Sequence, residues 1–406
     1  MDSVIRRFTA VFSRLAVVGI ACASCGAAQI TITKTAAEAN PGIYLAEFSG
    51  PAEMRDLLLR SLAQCDWFTV VNNPAAATYS LSAAYSAAPV PALDLKVTGG
   101  APGSVTFRQT TRSTRHGWVV YQAVDTLITR LFKNPGLCAS SLAFANGKNG
   151  YKEVFVCNFD GTDARQLTHN QTISTEPSWG PRAASLVYTL YGRTVTDVVL
   201  MDLANQRQRR ISQFPGLNAG ADLSPNGQWA ALCLSRDRRV ELYLLRVAAD
   251  KSLVRLTNDN AVESSPTWSP DGSRLCYVSD KAGRPNLYLV PARGGPAQAL
   301  LAGTAEAVSP DWSPVSDKIC FATKIYGDYD LAVVDMTKPG REVTVLTKGG
   351  GKWEAPSWAP DGRHVVCSHQ VGRQRELCLV DSWTGRIMKI TTPGDFSLPT
   401  WSQLHD

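Results

Sequence analysis

The chain has 406 residues, 44% of them apolar and 19% charged, a balance that excludes extended disorder and gives enough length for two packed domains. Its 41 basic and 35 acidic side chains leave a formal charge of +6. That balance is too mild and too scattered for a nucleic-acid surface, and no basic patch is interleaved with aromatics.

At the N-terminus, Arg6, Arg7 and Arg14 precede an apolar run from Leu15 to Ala23 and then small residues through Ala27 and Ala28. A basic start, a short apolar stretch and a small-residue exit read as an export signal over residues 1–28, cleaved near Ala28 and Gln29. A membrane anchor needs about 20 apolar residues, so no membrane span is expected. Acylation of Cys22 or Cys25 is an alternative fate, though neither follows a leucine-rich approach. Removal of the signal lowers the formal charge to +4 and takes two of the ten cysteines with it. The remaining eight lie in apolar surroundings and read as buried free thiols. No CxxC or Cys/His spacing marks a metal site.

Residues 29–137 read as a small α/β domain. Residues 29–33 and 42–48 alternate like strands. After Pro51, residues 52–64 place Met54, Leu57, Leu58 and Leu62 at helical spacing. Strands follow at 68–71 and 79–83, with a turn at Asn72 to Pro74 between them. The stretch 87–103, rich in Ala, Pro and Gly, reads as irregular, and 105–111 as a strand. Residues 118–132 form a second helix whose buried face is Val120, Ala123, Val124, Leu127, Ile128 and Leu131. Pro135-Gly136 ends the domain.

From residue 138 the sequence repeats. The clearest copies are Ser265-Pro-Thr-Trp-Ser-Pro-Asp-Gly272, Ser309-Pro-Asp-Trp-Ser-Pro314 and Ala355-Pro-Ser-Trp-Ala-Pro-Asp-Gly362. Weaker copies are Glu176-Pro-Ser-Trp-Gly-Pro181, Asp222-Leu-Ser-Pro-Asn-Gly227 and Leu398-Pro-Thr-Trp-Ser402. Trp179, Leu223, Trp268, Trp312, Trp358 and Trp401 are separated by 44, 45, 44, 46 and 43 residues. That is the period of a four-stranded propeller blade. In Ser269-Pro270-Asp271-Gly272, proline presets the turn and glycine accepts the positive φ that returns the chain. Three more apolar runs follow each motif, at Leu275, Tyr288 and Leu300 in one unit and in register elsewhere. The architecture expected is mainly β, a six-bladed β-propeller over 138–406. The unit starting at Cys138 lacks its innermost strand and the last motif has no strands after it, so 398–402 must close the ring. The tryptophans read as packing between blades.

This order of export signal, small α/β domain, six Trp-Ser-Pro-Asp-Gly-type blades and a closing C-terminal strand resembles the TolB family, the periplasmic propellers of the Tol-Pal cell-envelope system. The Gly180-Pro-Arg-Ala183 stretch departs from the turn motif, and the N-terminal domain is short. The resemblance implies a non-catalytic, monomeric scaffold. It would bind a Pal-like peptidoglycan-associated lipoprotein over one propeller mouth and a TolA-like inner-membrane protein through the N-terminal region. The role implied is outer-membrane integrity and constriction at division. No cofactor is implied, although calcium could lie in the channel.

Loops entering the innermost strands ring one mouth, and there the chain places Glu176, Leu217, Asn218, Glu263, Ser264, Glu306, Glu354 and Asp395. The segments Leu217 to Gly220 and Glu263 to Ser265 match the loops that contact Pal in the family. Acids facing a common channel would repel one another and favour a cationic partner or a bound cation. A peptidase would need a Gly-x-Ser-x-Gly turn and a further α/β domain, which are absent from the sequence. A lyase would need channel histidines or acids, and His116, His169, His364, His369 and His405 do not recur at equivalent positions. An exported sugar- or metal-binding propeller is the remaining alternative.

Overall fold

The computed structural model describes residues 39–99, 105–115, 117–148, 150–248, 252–301, 305–325 and 327–405. The export-signal segment and the strand expected at 29–33 lie outside them. Among the described residues, no helix is long and apolar enough to cross a membrane.

The first unit is a five-stranded sheet under two helices. Strand β1 (Gly42–Ser49) leads into α1 (Ala52–Gln64) and β2 (Thr69–Val70), followed by β3 (Tyr79–Ser86), β4 (Ala92–Gly99), β5 (Val105–Arg112) and α2 (Trp118–Phe132). The strand order is β2-β1-β3-β4-β5. Both helices turn their apolar stripes onto this sheet, burying Met54, Leu57, Leu58 and Leu62 from α1 and Val120, Ala123, Val124, Leu127 and Ile128 from α2.

The stretch 87–103 is not irregular throughout, because β4 pairs along its length with both β3 and β5. Its residues alternate strictly, with Leu93, Leu95 and Val97 buried and Asp94 and Lys96 outward. The flanking prolines and glycines disguised a two-residue period that is sound in itself.

The remaining strands form six four-stranded antiparallel sheets. Blade two is Ser174–Trp179, Ser185–Tyr191, Thr196–Asp202 and Gln208–Ser212. Blade three is Asn218–Leu223, Trp229–Leu234, Glu241–Arg246 and Leu253–Arg255; blade four is Glu263–Trp268, Arg274–Ser279, Asn286–Pro291 and Gln298–Ala299. Blade five is Ala307–Trp312, Lys318–Lys324, Tyr329–Asp335 and Val343–Val345; blade six is Lys352–Trp358, His364–Val371, Gln374–Asp381 and Ile387–Lys389. Blade one is made from both ends of the propeller. Phe396–Trp401 is its innermost strand, paired with Ser141–Lys148, then Tyr151–Asn158 and Arg165–Gln166.

The core is divided among the seams between blades. Val187 and Val198 of blade two pack with Leu232 and Tyr243 of blade three, and Ala231 and Leu242 of blade three with Tyr277 and Tyr288 of blade four. The seam between blades six and one is continuous with the core of the N-terminal unit. There Trp401 is buried, its indole N–H donating to Ser140 Oγ at 2.7 Å and its backbone N–H to Ser357 Oγ at 3.1 Å.

A buried hinge joins the two units. Asp125 on α2 accepts the backbone N–H groups of Cys138 and Ala139 at 2.8 and 2.7 Å. Gly136 passes so close that a Cβ there would lie 2.0 Å from the Asp125 carboxylate, so no other residue fits. Across the same interface, Arg363 is held by Asp381 at 3.1 and 2.7 Å and lies 4.7 Å from the rings of both Trp67 and Trp383. The Trp67 indole donates to Asp361 at 3.0 Å, and Arg386 reaches Asp66 at 2.5 Å. These propeller residues lie on, or at the edge of, the turns between first and second or third and fourth strands of blade six. The N-terminal unit therefore packs on blades six and one at the end of the propeller that carries the Ser-Pro turns.

All eight cysteines of the described residues are buried free thiols. Deleting residues 396–406 should unpair blade one and expose the seam shared with the N-terminal unit. Loss of Trp401 and its strand predicts a melting temperature lower by about 10 °C or more, read by circular dichroism. A truncated chain that melts with the full-length protein would place the seam elsewhere.

Candidate functional site

Each innermost strand carries an irregularity at one repeat position. The residue three before the tryptophan position is left-handed: Glu176 (φ 52°), Gly220 (61°), Ser265 (50°), Ser309 (51°), Ala355 (50°) and Leu398 (51°). Pairing with the second strand shifts register at these points. In five blades proline follows, a residue with no N–H to leave unpaired at a bulge. A non-glycine residue in this region costs on the order of 1 kcal/mol, a strain accepted in five blades and avoided by Gly220 in blade three.

Those side chains form a polar ring: Ser178, Asp222, Thr267, Asp311, Ser357 and Thr400. The ring stitches consecutive blades. Asp222 accepts the Trp268 N–H at 3.0 Å, Thr267 that of Trp312 at 3.4 Å, Asp311 that of Trp358 at 2.6 Å, and Ser357 that of Trp401. Ser178 Oγ donates to Asp222 at 2.7 Å. The ring separates two cavities, one of about 170 Å³ on the side of the tryptophans and Ser-Pro turns and one of about 150 Å³ toward the open mouth.

Two carboxylates thus lie half-buried in the channel wall. Burial pushes Asp222 up to about 6, against the pull of Ser178 and backbone N–H groups. Asp311 is pushed up to about 7 by burial, with the Asp222 charge adding to it.

The structure scatters the acids expected to face one channel. Glu176 does line the open-mouth cavity, accepting from Thr189 Oγ1 at 2.7 Å and the Gly220 N–H at 3.0 Å. Glu263, Glu306, Glu354 and Asp395 do not line it. Glu263 is fully buried between blades, accepting from Ser279 Oγ at 3.2 Å, and desolvation with the nearby Asp259 charge raises it to about 8. Glu306 accepts the Tyr329 hydroxyl at 2.9 Å, and Glu354 stands beside the same tyrosine, which burial and these acids raise to about 12. Asp395 bridges blades one and six through Lys152 at 3.3 Å and Arg375 at 3.7 Å.

Asn218 is fully buried and holds the crossing from blade two, accepting from Ser212 Oγ at 2.6 Å and the Phe214 N–H at 2.9 Å. Leu217 and Ser264 are half-buried near the mouth, and Gly220 lines its cavity. The channel carboxylates Asp222 and Asp311 are hidden in the sequence because they sit inside the motif that reads as packing. Their signal was an acid immediately before the tryptophan position in only two of six copies.

The exposed rim has the opposite sign to the one expected. The loops from second to third strands carry the exposed Arg193, Arg236, Arg238, Arg239, Arg284 and Arg373, against the exposed acids Asp237 and Asp328. Acids expected to attract a cationic partner are turned inward, and arginines stand outside.

Three groups of metal-type donors lie close together among the described residues: Asp66, His364 and Asp381; Glu241, Asp259 and Glu263; and His369, Glu376 and Cys378. In the first, Arg386 and Arg363 already neutralise the carboxylates. Although burial opposes its charge, Asp361 raises His364 to about 9. In the second, Arg255 holds Glu241 at 2.7 Å.

Residues 136–405 match the TolB beta propeller domain family. The chain is 29% identical over 165 residues to a protein TolB homolog of Chlorobium luteolum, covering 40% of this chain and 37% of that one. It is 25% identical over 285 residues to the Tol-Pal system protein TolB of Bordetella pertussis, covering 70% of this chain and 64% of that one. These alignments span less than two thirds of either relative. The crystal structure of TolB from Acinetobacter baumannii superposes with a TM-score of 0.81 at 18% identity, covering 92% of this chain and 99% of that one.

The channel pair Asp222 and Asp311 sets a pH dependence. Both carboxyls bind protons more tightly folded than unfolded, so their contribution to stability is full below about pH 4 and is lost as pH rises through about 6 and 7. In chelator-treated protein, Asp311→Asn should be more stable than the parent at pH 8 by on the order of a few kcal/mol, read as a higher melting temperature, and should flatten the fall of melting temperature between pH 4 and 8. An unchanged pH profile would remove Asp311 as its source.

Proposed function

We propose that this chain, which belongs to the TolB β-propeller family, is a non-catalytic periplasmic adaptor of the Tol-Pal type whose open mouth holds a Pal-like outer-membrane lipoprotein. Its N-terminal unit faces a TolA-like inner-membrane protein, so that the two envelope layers are linked for outer-membrane integrity and constriction at division. The observation that carries this reading is the asymmetry of the propeller. The N-terminal unit packs on blades six and one at the end carrying the Ser-Pro turns, and the opposite end is an open funnel with a basic rim.

The channel chemistry favours binding over catalysis. Its lining contains no histidine, cysteine, lysine or arginine, and its Ser178 hydroxyl is tied to Asp222 within the ring that joins the blades. Its hydroxyl and carboxylate oxygens, from Ser, Thr, Asp and Glu, are the donor class of a hard cation such as calcium. The half-buried channel carboxylates Asp222 and Asp311 fit such an ion. They would hold it, and it would supply positive charge to the base of the funnel.

The exposed arginines call for an acidic partner surface. Their attraction would speed encounter and weaken with salt. Arg238→Glu combined with Arg284→Glu should lower the affinity for the Pal-like lipoprotein by about tenfold or more at low salt and reduce its salt dependence. The readout is calorimetric titration with the soluble part of the lipoprotein. Unchanged affinity and salt slope in a folded variant would move the interface off this mouth.

A further inference from the structure

The third donor group lies away from the channel, on the face of blade six turned toward blade five. His369 is directly opposite Glu376 in the antiparallel pair, and Cys378 follows two residues later, on the same face as Glu376. One donor atom from each lies within 4.8 Å of the others. His369 Nδ1 and Glu376 Oε1 are 3.3 Å apart, close to the edge of a zinc tetrahedron with bonds of about 2.0–2.3 Å.

Hydrogen bonding orients these atoms. His369 Nε2 is 3.1 Å from the Gly350 carbonyl oxygen, which can only accept, so Nε2 carries a proton. In the neutral ring, Nδ1 then points a lone pair at a carboxylate oxygen, and two acceptors at that distance need a proton or a metal ion between them. Trp353 fixes the ring by stacking on it at 3.8 Å and 13°. A histidine anchored to a carbonyl through its far nitrogen is also the arrangement that supports a metal ligand.

Comparison between blades points the same way. At the repeat position of Glu376, Glu153 of blade one accepts from Thr168 and from the Gln171 N–H, and Asp330 of blade five accepts from Thr347 and from the Gly349 N–H. Each acid thereby holds the loop that leads to the next blade. Glu376 has left that role. It is 5% exposed, faces His369, and keeps a buried Oε2 without a hydrogen-bond partner. Its Oε1 also receives Lys389 at 2.8 Å, a side chain 68% exposed that can swing into water.

We propose that His369, Glu376 and Cys378 form a transition-metal site in blade six, with Zn²⁺ the ion that its imidazole, carboxylate and thiol donors select. Sulfur disfavours calcium or magnesium, and three protein ligands leave a fourth position for water. Binding forms a metal–sulfur bond and releases the Cys378 thiol proton to solvent. Lys389 gives up Oε1 as the metal arrives.

The test uses the full chain, stripped with chelator and titrated with Co²⁺ as a spectroscopic substitute for Zn²⁺. One equivalent should produce tetrahedral visible bands and a thiolate-to-cobalt charge-transfer band, both abolished by equimolar Zn²⁺. Cys378→Ser should lose the charge-transfer band, and His369→Gln should weaken Zn²⁺ binding by about tenfold or more in competition with a chromogenic chelator. Lys389→Ala removes only an exposed competitor and should tighten binding several-fold. Asp222→Asn with Asp311→Asn, in the distant channel, should leave the band intact. A cobalt complex without the sulfur band, a band that survives Cys378→Ser, or unaltered affinity in Lys389→Ala would reduce the cluster to a His369–Glu376–Lys389 ion-pair network and overturn the proposal.

Discussion

Pairing of the last strand with the first complete strand of the propeller is the constraint on which the rest depends. An antiparallel blade has two apolar faces and no core of its own, so each blade is stable only between two neighbours. With Phe396–Trp401 hydrogen-bonded to Ser141–Lys148, the seam between blades six and one becomes equivalent to the others. The N-terminal unit depends on the same pairing, because its helices share their core with that seam. Trp401 joins the three parts, contacting Ser140 at the hinge and Ser357 in blade six.

Closure also sets the character of the channel. The seams take the large apolar side chains, so the innermost strands turn small polar groups toward the axis, helped by the left-handed residue in each bulge. The backbone N–H groups of Trp268, Trp312, Trp358 and Trp401 find partners in the preceding blade. The ring of Ser, Thr and Asp is therefore structural before it is functional. Two of its members are carboxyls that burial drives toward neutrality, so the channel holds a latent negative charge that a cation would draw out.

Repetition makes departures informative. The acid at the start of the third strand holds the following loop in blades one and five, whereas in blade three Glu241 turns to Arg255 and in blade six Glu376 turns to His369 and Lys389. A residue that leaves a role still served by its equivalents has acquired another set of contacts. The same logic applies to the rim, where inward acids and outward arginines divide the charge between the inside and the outside of one funnel.

The Trp spacing and Ser-Pro-Asp-Gly turns determined the number of blades, their phase and the closing strand, because each blade repeats a local pattern whose geometry needs no distant partner. The two helices were legible for the same reason, and β4 was hidden only by the prolines and glycines beside it. The site was far less legible. Position along the chain placed Glu263 and Asp395 near one mouth, yet register and bulge decide which way a strand residue points. Glu263 turns into a seam, Asp395 into an ion pair, and Asp222 and Asp311 into the channel. His369, Glu376 and Cys378 form no recognisable metal spacing, since only a hairpin brings positions 369 and 376 face to face. A linear repeat specifies the ring, while the direction of each side chain, and with it the chemistry of the mouth and the seams, is settled by pairing and closure.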